Sequence, residues 1–401
     1  MRVCDLNTLY IDGGEGGVNT YLVEKARYLS QRGDTSHFAI VPGKRDACFR
    51  LHGSTFYLVK SPRVPWNPDH RILRRFRVVK KILERESPSV VEVDCTYFLG
   101  RIAASALKRR GTPIIGFYHV HFPTFIAKPG ASRLGVSFST MAERLAWRYV
   151  RFCYKHCDRL IVSSRDIQAR LQSEGLTRLD YAPLGVNLDL FHPLQRNSPR
   201  VTAAASAAKD ARSRRTGDPI VILFVGRLSY EKDLDVLIRA FKILPAGDDY
   251  RLWIVGDGPV RRKLERLSAG DPKISFLGFR PYGEELAKIY ASADLLANPS
   301  PNETFSLTIL EAFASGLPVV SVRQGGPSNL VSPKWGELAE PGNHLDLAAK
   351  ISSVGSKRRD YTACRADLES GHSWEQSFER LLEIYEKAVA ARRSQGMVAA
   401  E

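Results

Sequence analysis

Two glutamates eight positions apart carry the first chemical signal in this chain. In the stretch from Ser300 to Val320, SPNETFSLTILEAFASGLPVV, Glu303 falls in a polar turn just before the apolar-periodic run Phe305, Leu307, Ile309, Leu310 and Phe313. Glu311 falls one to two turns into the helix which that run predicts. The backbone N–H groups of Phe305, Ser306 and Leu307 would then open the helix, and unpaired N–H groups with the helix dipole behind them attract an anion. A carboxylate is a poor neighbour for phosphate and a good acceptor for hydroxyls. The economical arrangement is hydroxyls at both ends, on Glu303 and Glu311, with phosphate over the helix start. A solvated helix with two surface glutamates is the competing reading, and this spacing alone does not separate the two.

The positions upstream that must hold such a ligand have the right form. Ile220 to Phe241, IVILFVGRLSYEKDLDVLIRAF, reads as a buried strand ending at Gly226, a polar turn, and an amphipathic helix with Leu234, Leu237, Ile238 and Phe241 on one face. Arg227 and Lys232 therefore follow a strand's carboxyl end, the edge where open parallel sheets bind ligands. Arg offers a planar fork to phosphate oxygens and Lys a compact charge, so together they can balance a diphosphate without a metal. Leu252 to Pro259, LWIVGDGP, repeats strand, glycine turn and helix start, with Gly256 and Gly258 expected to allow close backbone approach.

The amino-terminal half has a glycine loop of its own. Arg2 to Leu6 predicts a strand, GGEGGV at Gly13 to Val18 a tight loop, and Tyr21 to Leu29 a helix. As a dinucleotide fingerprint this loop fails: with Gly14 and Gly16 as the first two glycines, Asn19 stands where the third belongs. Pro113 to Pro123, PIIGFYHVHFP, predicts a buried strand whose end carries His119 and His121, placed on one face by period-two alternation. A neutral imidazole can hydrogen-bond a sugar hydroxyl, and no third metal ligand is evident nearby.

Taken together, VGRLSYEKDL, IVGDGP, FLGF at Phe276 to Phe279, YASADLLANPSPNETFSLTILEAFASGLPVV and the earlier PLGVNLDLFHP at Pro183 to Pro193 resemble glycosyltransferase family 4, in the expected order over nearly the whole chain. The resemblance implies an α/β protein of GT-B architecture: two Rossmann-like parallel-sheet domains facing a cleft, with a carboxyl-terminal helix returning to the first domain. It implies a retaining hexosyl transfer from a nucleoside diphosphate sugar, with no metal or other cofactor. Arg227 and Lys232 would bind the diphosphate, Glu303 the sugar hydroxyls and Glu311 the ribose. Gly16, Gly17, Gly226, Gly256, Phe279, Phe305, Ser306 and Leu307 would complete the donor site, and His119 would act at the sugar. His121 stands where an acid is common and falls to the acceptor side. Where the family commonly has Pro-Glu-Ile after a glycine pair, Gly325 and Gly326 are followed here by Pro327, Ser328 and Asn329, so no carboxylate role is carried over.

With 401 residues and 44% hydrophobic content the chain can build two cores. Alternating strand and helix patterns argue for parallel sheets covered on both faces. The expected division is a first domain over 1–186, a linker over 187–218 whose segment 196–218 is small, basic and mobile, a second domain over 219–373, and a terminal helix over about 374–391 carrying Trp374, Phe378, Leu381, Leu382 and Tyr385. Six scattered cysteines with no CxxC pair suggest a reducing, cytoplasmic setting. Cys153, His156 and Cys157 do not share a helical face as a zinc site requires. No apolar run approaches the roughly 18 residues that span a bilayer.

Charge is unevenly spread. The formal net charge is +16, residues 1 to 186 hold 30 Lys and Arg against 16 Asp and Glu, and residues 219 to 401 are close to balance. The excess belongs to whatever the first domain meets, a glycan or lipid acceptor. Arg71 to Leu83, RILRRFRVVKKIL, predicts a basic amphipathic helix with Arg71, Arg74 and Arg75 off its apolar stripe and Trp66 just before it, which fits peripheral contact with an anionic membrane on its inner face. No nucleic-acid module appears. GDP-mannose and UDP-glucose both fit as donors. The rivals are a sugar-nucleotide 2-epimerase on the same fold and a non-catalytic nucleotide-sugar-binding protein.

Overall fold

A computed structural model of the chain describes residues 1–12, 16–64, 67–94, 98–123, 136–197, 219–247, 249–356 and 364–398. Two compact units divide it: Met1–Pro183 with Trp374–Glu401, and Leu184–Ser373.

The first unit is built on an eight-stranded sheet in the order β10-β9-β8-β7-β1-β2-β4-β3. Its strands are β1 (Arg2–Leu6), β2 (Ser36–Gly43), β3 (Ala47–Leu51), β4 (Ser54–Lys60), β7 (Val90–Val93), β8 (Ile114–Phe117), β9 (Arg159–Val162) and β10 (Leu179–Tyr181), while β5 (Arg63–Val64) and β6 (Asn67–Arg71) form a separate ribbon. All neighbours in the large sheet are parallel except β3, which turns back on β4 through His52 and Gly53, both in the left-handed region. Parallel strands covered on both faces read as continuous apolar runs, and the four residues of β7 and of β8 are all buried. The first helix runs Gly17–Ser30, starting four residues ahead of the expected Tyr21. Helix Trp374–Val398 belongs to this unit: Trp374 and Phe378 lie 6.4 and 5.7 Å from the Tyr21 ring, and Ser377 Oγ donates to the Pro183 carbonyl at 2.7 Å.

The second unit holds a six-stranded, wholly parallel sheet in the order β13-β12-β11-β14-β15-β16. Its strands are β11 (Ile220–Val225), β12 (Tyr250–Val255), β13 (Ile274–Gly278), β14 (Leu295–Ala297), β15 (Val319–Val322) and β16 (Gly336–Ala339). β11 pairs with β12 along its full length, from Ile220 with Tyr250 to Val225 with Val255, and on its other side with β14 through Ile222 and Leu223. Chain order therefore reverses between β11 and β14, and the connections leave that gap on opposite faces of the sheet. A ligand crevice opens at such a switch point, beyond the carboxyl ends of the strands.

Residues 187–197, read from sequence as the start of a linker, pack with the second unit. Phe191 is fully buried with the rings of Tyr282 and Tyr290 at 5.6 and 5.5 Å, and Arg365 Nη1 donates to the carbonyls of Leu188 and Phe191 at 2.9 and 3.0 Å. The apolar residues of Leu188-Asp189-Leu190-Phe191 explain the difference, because burying one Phe or Leu contributes about 1.5–3 kcal/mol. Of the expected mobile segment, 198–218 lies outside the described residues.

Candidate functional site

The two loops at the β11/β14 switch point are stitched together. After β11 the chain passes through Gly226 and the half-buried Arg227 to a short helical turn, Tyr230–Lys232. After β14 it runs from Asn298 to Ser306. Lys232 Nζ donates to Glu303 Oε1 at 2.6 Å, and the Glu231 carbonyl accepts from Ser300 Oγ at 3.1 Å and Asn302 Nδ2 at 3.0 Å. Two residues assigned from sequence to separate parts of a ligand are thus a contact pair. Burial alone would draw the Lys232 pKa down, but the Glu303 carboxylate more than offsets it, and Lys232 stays charged well into alkaline pH.

Asn298 holds the second loop in shape. Its N–H donates to the Val320 carbonyl (2.8 Å), its Oδ1 accepts from Ser300 N–H (3.1 Å), its Nδ2 donates to Ser306 Oγ (3.0 Å), and its own carbonyl accepts from Ser321 Oγ (2.9 Å). Ser306 occupies the position before helix Leu307–Ala314 with φ 86° and ψ 86°, a left-handed conformation unusual for serine. Its hydroxyl lies 3.0 Å from Thr308 Oγ1 rather than capping the helix N–H groups, and the first turn has no acidic residue. Strain of this kind collects at functional sites, and the first turn of this helix has no side-chain cap.

Glu311 has a partner that the sequence reading did not give it. It is buried on helix Leu307–Ala314 and takes a 2.7 Å hydrogen bond from the Tyr290 hydroxyl. Burial pushes its pKa up to about 7, only partly offset by Tyr290. Tyr290, on helix Glu284–Ser292, opens the YASADLLANPS stretch, but no local pattern pairs it with Glu311.

The glycines divide by role. A Cβ on Gly256 would stand 1.9 Å from the Gly226 carbonyl oxygen, and one on Gly258 would stand 2.3 Å from that of Leu228. Their smallness lets neighbouring strand-end loops touch, the close backbone approach expected of these glycines, with backbone as the neighbour. Gly325 and Gly326 do the same beneath the acidic loop: Cβ atoms there would lie 2.4 Å from the Glu303 carbonyl oxygen and from Phe305 Cα, and Gly326 N–H donates to the Glu303 carbonyl at 2.8 Å. Phe305 is buried, whereas Phe279, past the end of β13, is 49% exposed.

In the first unit, Gly16 precedes helix Gly17–Ser30, and a Cβ there would meet nothing within 4 Å. Gly13 to Glu15 lie outside the described residues. His119 and His121 do not share a face. β8 ends at Phe117, so alternation lapses: His119 stacks on Phe117 at 4.0 Å and lies edge-on to Tyr21, whereas His121 lies 3.1 Å from the Tyr118 hydroxyl and packs on Trp147. Burial, reinforced by Lys25, holds His119 down to about 3, and burial with Arg170 nearby holds His121 at about 4, so both are neutral at physiological pH.

The basic segment at 71–83 also differs from expectation. Its helix is Phe76–Glu86, with Phe76 exposed and Val79 and Leu83 buried. Arg71 ends β6 and donates to the Ser61 carbonyl at 2.7 Å, Arg75 pairs with Asp46, and Arg74 is exposed before the helix. The three arginines therefore do not line one helical face, because Leu73 is drawn into the core ahead of the helix. Trp66 lies outside the described residues.

Sequence reasoning also missed a buried polar cluster. Lys25 Nζ lies 2.7 Å from Asp5 Oδ1, 3.4 Å from Glu92 Oε2 and 2.8 Å from the Tyr385 hydroxyl; Tyr21 and Tyr385 both donate to Glu92, and His37 Nε2 lies 2.6 Å from Asp5 Oδ2. These groups come from β1, β2, β7, the first helix and the terminal helix. Among the described residues, no group of three or more His, Cys, Asp or Glu is placed to hold a metal ion, and no helix is long and apolar enough to cross a membrane.

Comparison with known proteins agrees with this architecture. Residues 15–190 match the family described as Glycosyltransferase Family 4, and residues 219–356 match Glycosyl transferases group 1. A GDP-mannose-dependent alpha-mannosyltransferase of Mycobacterium tuberculosis is 32% identical over 393 residues, covering 94% of each chain. A GDP-mannose-dependent alpha-(1-6)-phosphatidylinositol dimannoside mannosyltransferase of the same species is 28% identical over 348 residues, covering 86% of each. The solved structure of sucrose-phosphate synthase from Thermosynechococcus elongatus superposes with a TM-score of 0.75 at 21% identity, covering 98% of this chain and all of that one. On its motifs, its two parallel-sheet units and these likenesses, the chain belongs to the group 1 glycosyltransferases of family 4, with the GT-B fold.

Proposed function

We propose that this glycosyltransferase moves a mannosyl unit from GDP-mannose to a hydroxyl of a lipid-linked or glycan acceptor, with retention at the anomeric carbon and without a metal. The observation that carries the donor half is the Lys232–Glu303 pair at the β11/β14 switch point, beside the uncapped start of helix Leu307–Ala314. The preference for GDP-mannose over UDP-glucose rests on the names of the relatives similar over most of the chain.

In this reading Arg227, Lys232 and the N–H groups at Ser306 and Leu307 face the diphosphate. Glu303, oriented by Lys232, accepts from sugar hydroxyls, and Glu311, oriented by Tyr290, accepts from the ribose. As the bond from the anomeric carbon to the phosphate oxygen breaks, negative charge grows on the diphosphate, and fixed donors aimed there supply the largest catalytic contribution. The acceptor oxygen bonds to the same face of the anomeric carbon, and its proton passes to the leaving phosphate. On the first unit, Gly16, Gly17 and the neutral His119 are candidate sugar contacts. The basic charge of that unit supports an anionic or lipid-linked acceptor, with the protein peripheral to the cytoplasmic face of the membrane.

The test is thermal shift against GDP, UDP and their sugar conjugates in the presence of EDTA, followed by turnover of Lys232→Ala and Glu303→Ala. The expected result is stabilisation by GDP and GDP-mannose, and turnover roughly tenfold to a thousandfold lower in each variant without loss of fold. Wild-type turnover in both variants would remove the site. Release of free altered sugar from donor alone would indicate an epimerase.

A further inference from the structure

Helix Val136–Tyr154 packs one face into the first unit through Ala142, Ala146, Trp147, Val150 and Cys153. Among the described residues its opposite face has no such cover. Met141, Leu145 and Phe152 are 55%, 60% and 37% exposed, and positions separated by four and eleven residues lie on one helical stripe. Phe98, 40% exposed, extends the stripe sideways, its ring 5.8 Å from those of Phe152 and Tyr149. Four large apolar side chains are thus left together in water, where a scattered few would need no explanation.

Cations border this ridge. Arg144 immediately precedes Leu145, and Arg148 falls between Leu145 and Phe152 on the same row, three positions after the one and four before the other; both are exposed and, among the described residues, in no ion pair. Lys155 stands 4.3 Å over the Phe152 ring. Arg151 is engaged elsewhere, with Glu174. From Arg101 to Lys155 the sequence holds ten Lys and Arg and a single acid, Glu143, which is turned toward Arg170 and Trp147.

We propose that this face seats on an anionic lipid surface, with Met141, Leu145, Phe152 and Phe98 entering the acyl boundary while Arg144, Arg148 and Lys155 meet lipid phosphates. An apolar ridge flanked by unpaired cations is the arrangement by which helices lie in the membrane interface. A second copy of this chain or a protein partner would have to bring acids to match the cations, and an identical face brings only more cations. The surface is distinct from the 71–75 arginines and does not depend on the donor assignment, since it can be measured with no donor present.

The experiment is co-sedimentation of the whole protein with vesicles of phosphatidylcholine alone and of phosphatidylcholine mixed with phosphatidylglycerol. Wild type should pellet with the anionic vesicles only and be released by raised salt. Leu145→Ser with Phe152→Ser, and separately Arg144→Glu with Arg148→Glu, should each lower partitioning by roughly tenfold or more. All four positions are exposed, and circular dichroism with donor-induced thermal shift establishes that the variants remain folded. Arg74→Glu with Arg75→Glu should change partitioning far less. Wild type remaining in solution with anionic vesicles, or unchanged pelleting of both ridge variants, would overturn the assignment. So would a wild-type dimer on size exclusion that the apolar variant dissociates.

Discussion

Glu311 shows how a single residue can carry opposing demands. Its side chain is buried with one hydrogen bond from Tyr290, and its pKa rises from 4.5 to about 7. The folded state therefore retains a proton that the unfolded chain sheds earlier, and stability contributed by this site falls as pH rises from about 4.5 through about 7. Glu311→Gln keeps an oxygen for Tyr290 and removes the charge. The variant should be more stable than wild type by on the order of 1–3 kcal/mol at about pH 8 and indistinguishable near the unfolded pKa, by urea unfolding across pH. It should also bind GDP-mannose more weakly. Equal stability at both pH values would mean that the carboxylate is not desolvated as its burial indicates. Lys232 and Glu303 have the reverse balance: each lowers the cost of holding the other in a half-covered site.

Among elements, the strand-end loops of the second unit are held by close backbone contact rather than by side chains filling space. Gly326 has ordinary helical φ, so its need for glycine is steric: the added Cβ would fall 2.4 Å from Phe305 Cα and 2.6 Å from Phe305 N. Gly326→Ala should displace the Glu303–Ser306 loop, lowering donor affinity at least tenfold and stability by about 1–3 kcal/mol. Gly371→Ala, where the added atom meets nothing within 4 Å, is the matched control. Isothermal titration with GDP beside thermal unfolding separates the two effects, and wild-type affinity in Gly326→Ala would remove this loop from the site. The residues after Gly326 depart from the family pattern, yet the glycine pair still supports the loop.

For the whole molecule, the terminal helix is a structural member of the first unit although the chain reaches it last. Tyr385 meets Lys25 and Glu92 inside a cluster that is almost fully buried, where Lys25 and His37 pull the Asp5 carboxyl below its ordinary range against the effect of burial, and burial raises Glu92. Tyr385→Phe leaves both partners with one contact fewer out of reach of water, so it should cost about 1–3 kcal/mol of unfolding free energy. Urea unfolding followed by tryptophan fluorescence reads this, and a change under about 0.5 kcal/mol would show that the cluster rearranges without the hydroxyl.

Sequence alone was enough for whatever repeats locally: the continuous apolar runs of β11 and β8, the amphipathic helix after Lys232, the acidic turn before Leu307, and the motif order that carries the family. Those features are read from neighbours in the chain, where periodicity and turn chemistry act. Tertiary structure decided what depends on distant residues meeting. Lys232 and Glu303 are 71 positions apart in the chain and became a pair because β11 and β14 are adjacent. The helix expected at 71–83 begins at Phe76 and runs on to Glu86, with Leu73 claimed by the core ahead of it, and His119 and His121 parted because β8 ends at Phe117. Burial gave Glu311 its raised pKa, and packing left Met141, Leu145 and Phe152 uncovered. Exposure and desolvation are properties of the packed chain, so no local pattern states them in advance.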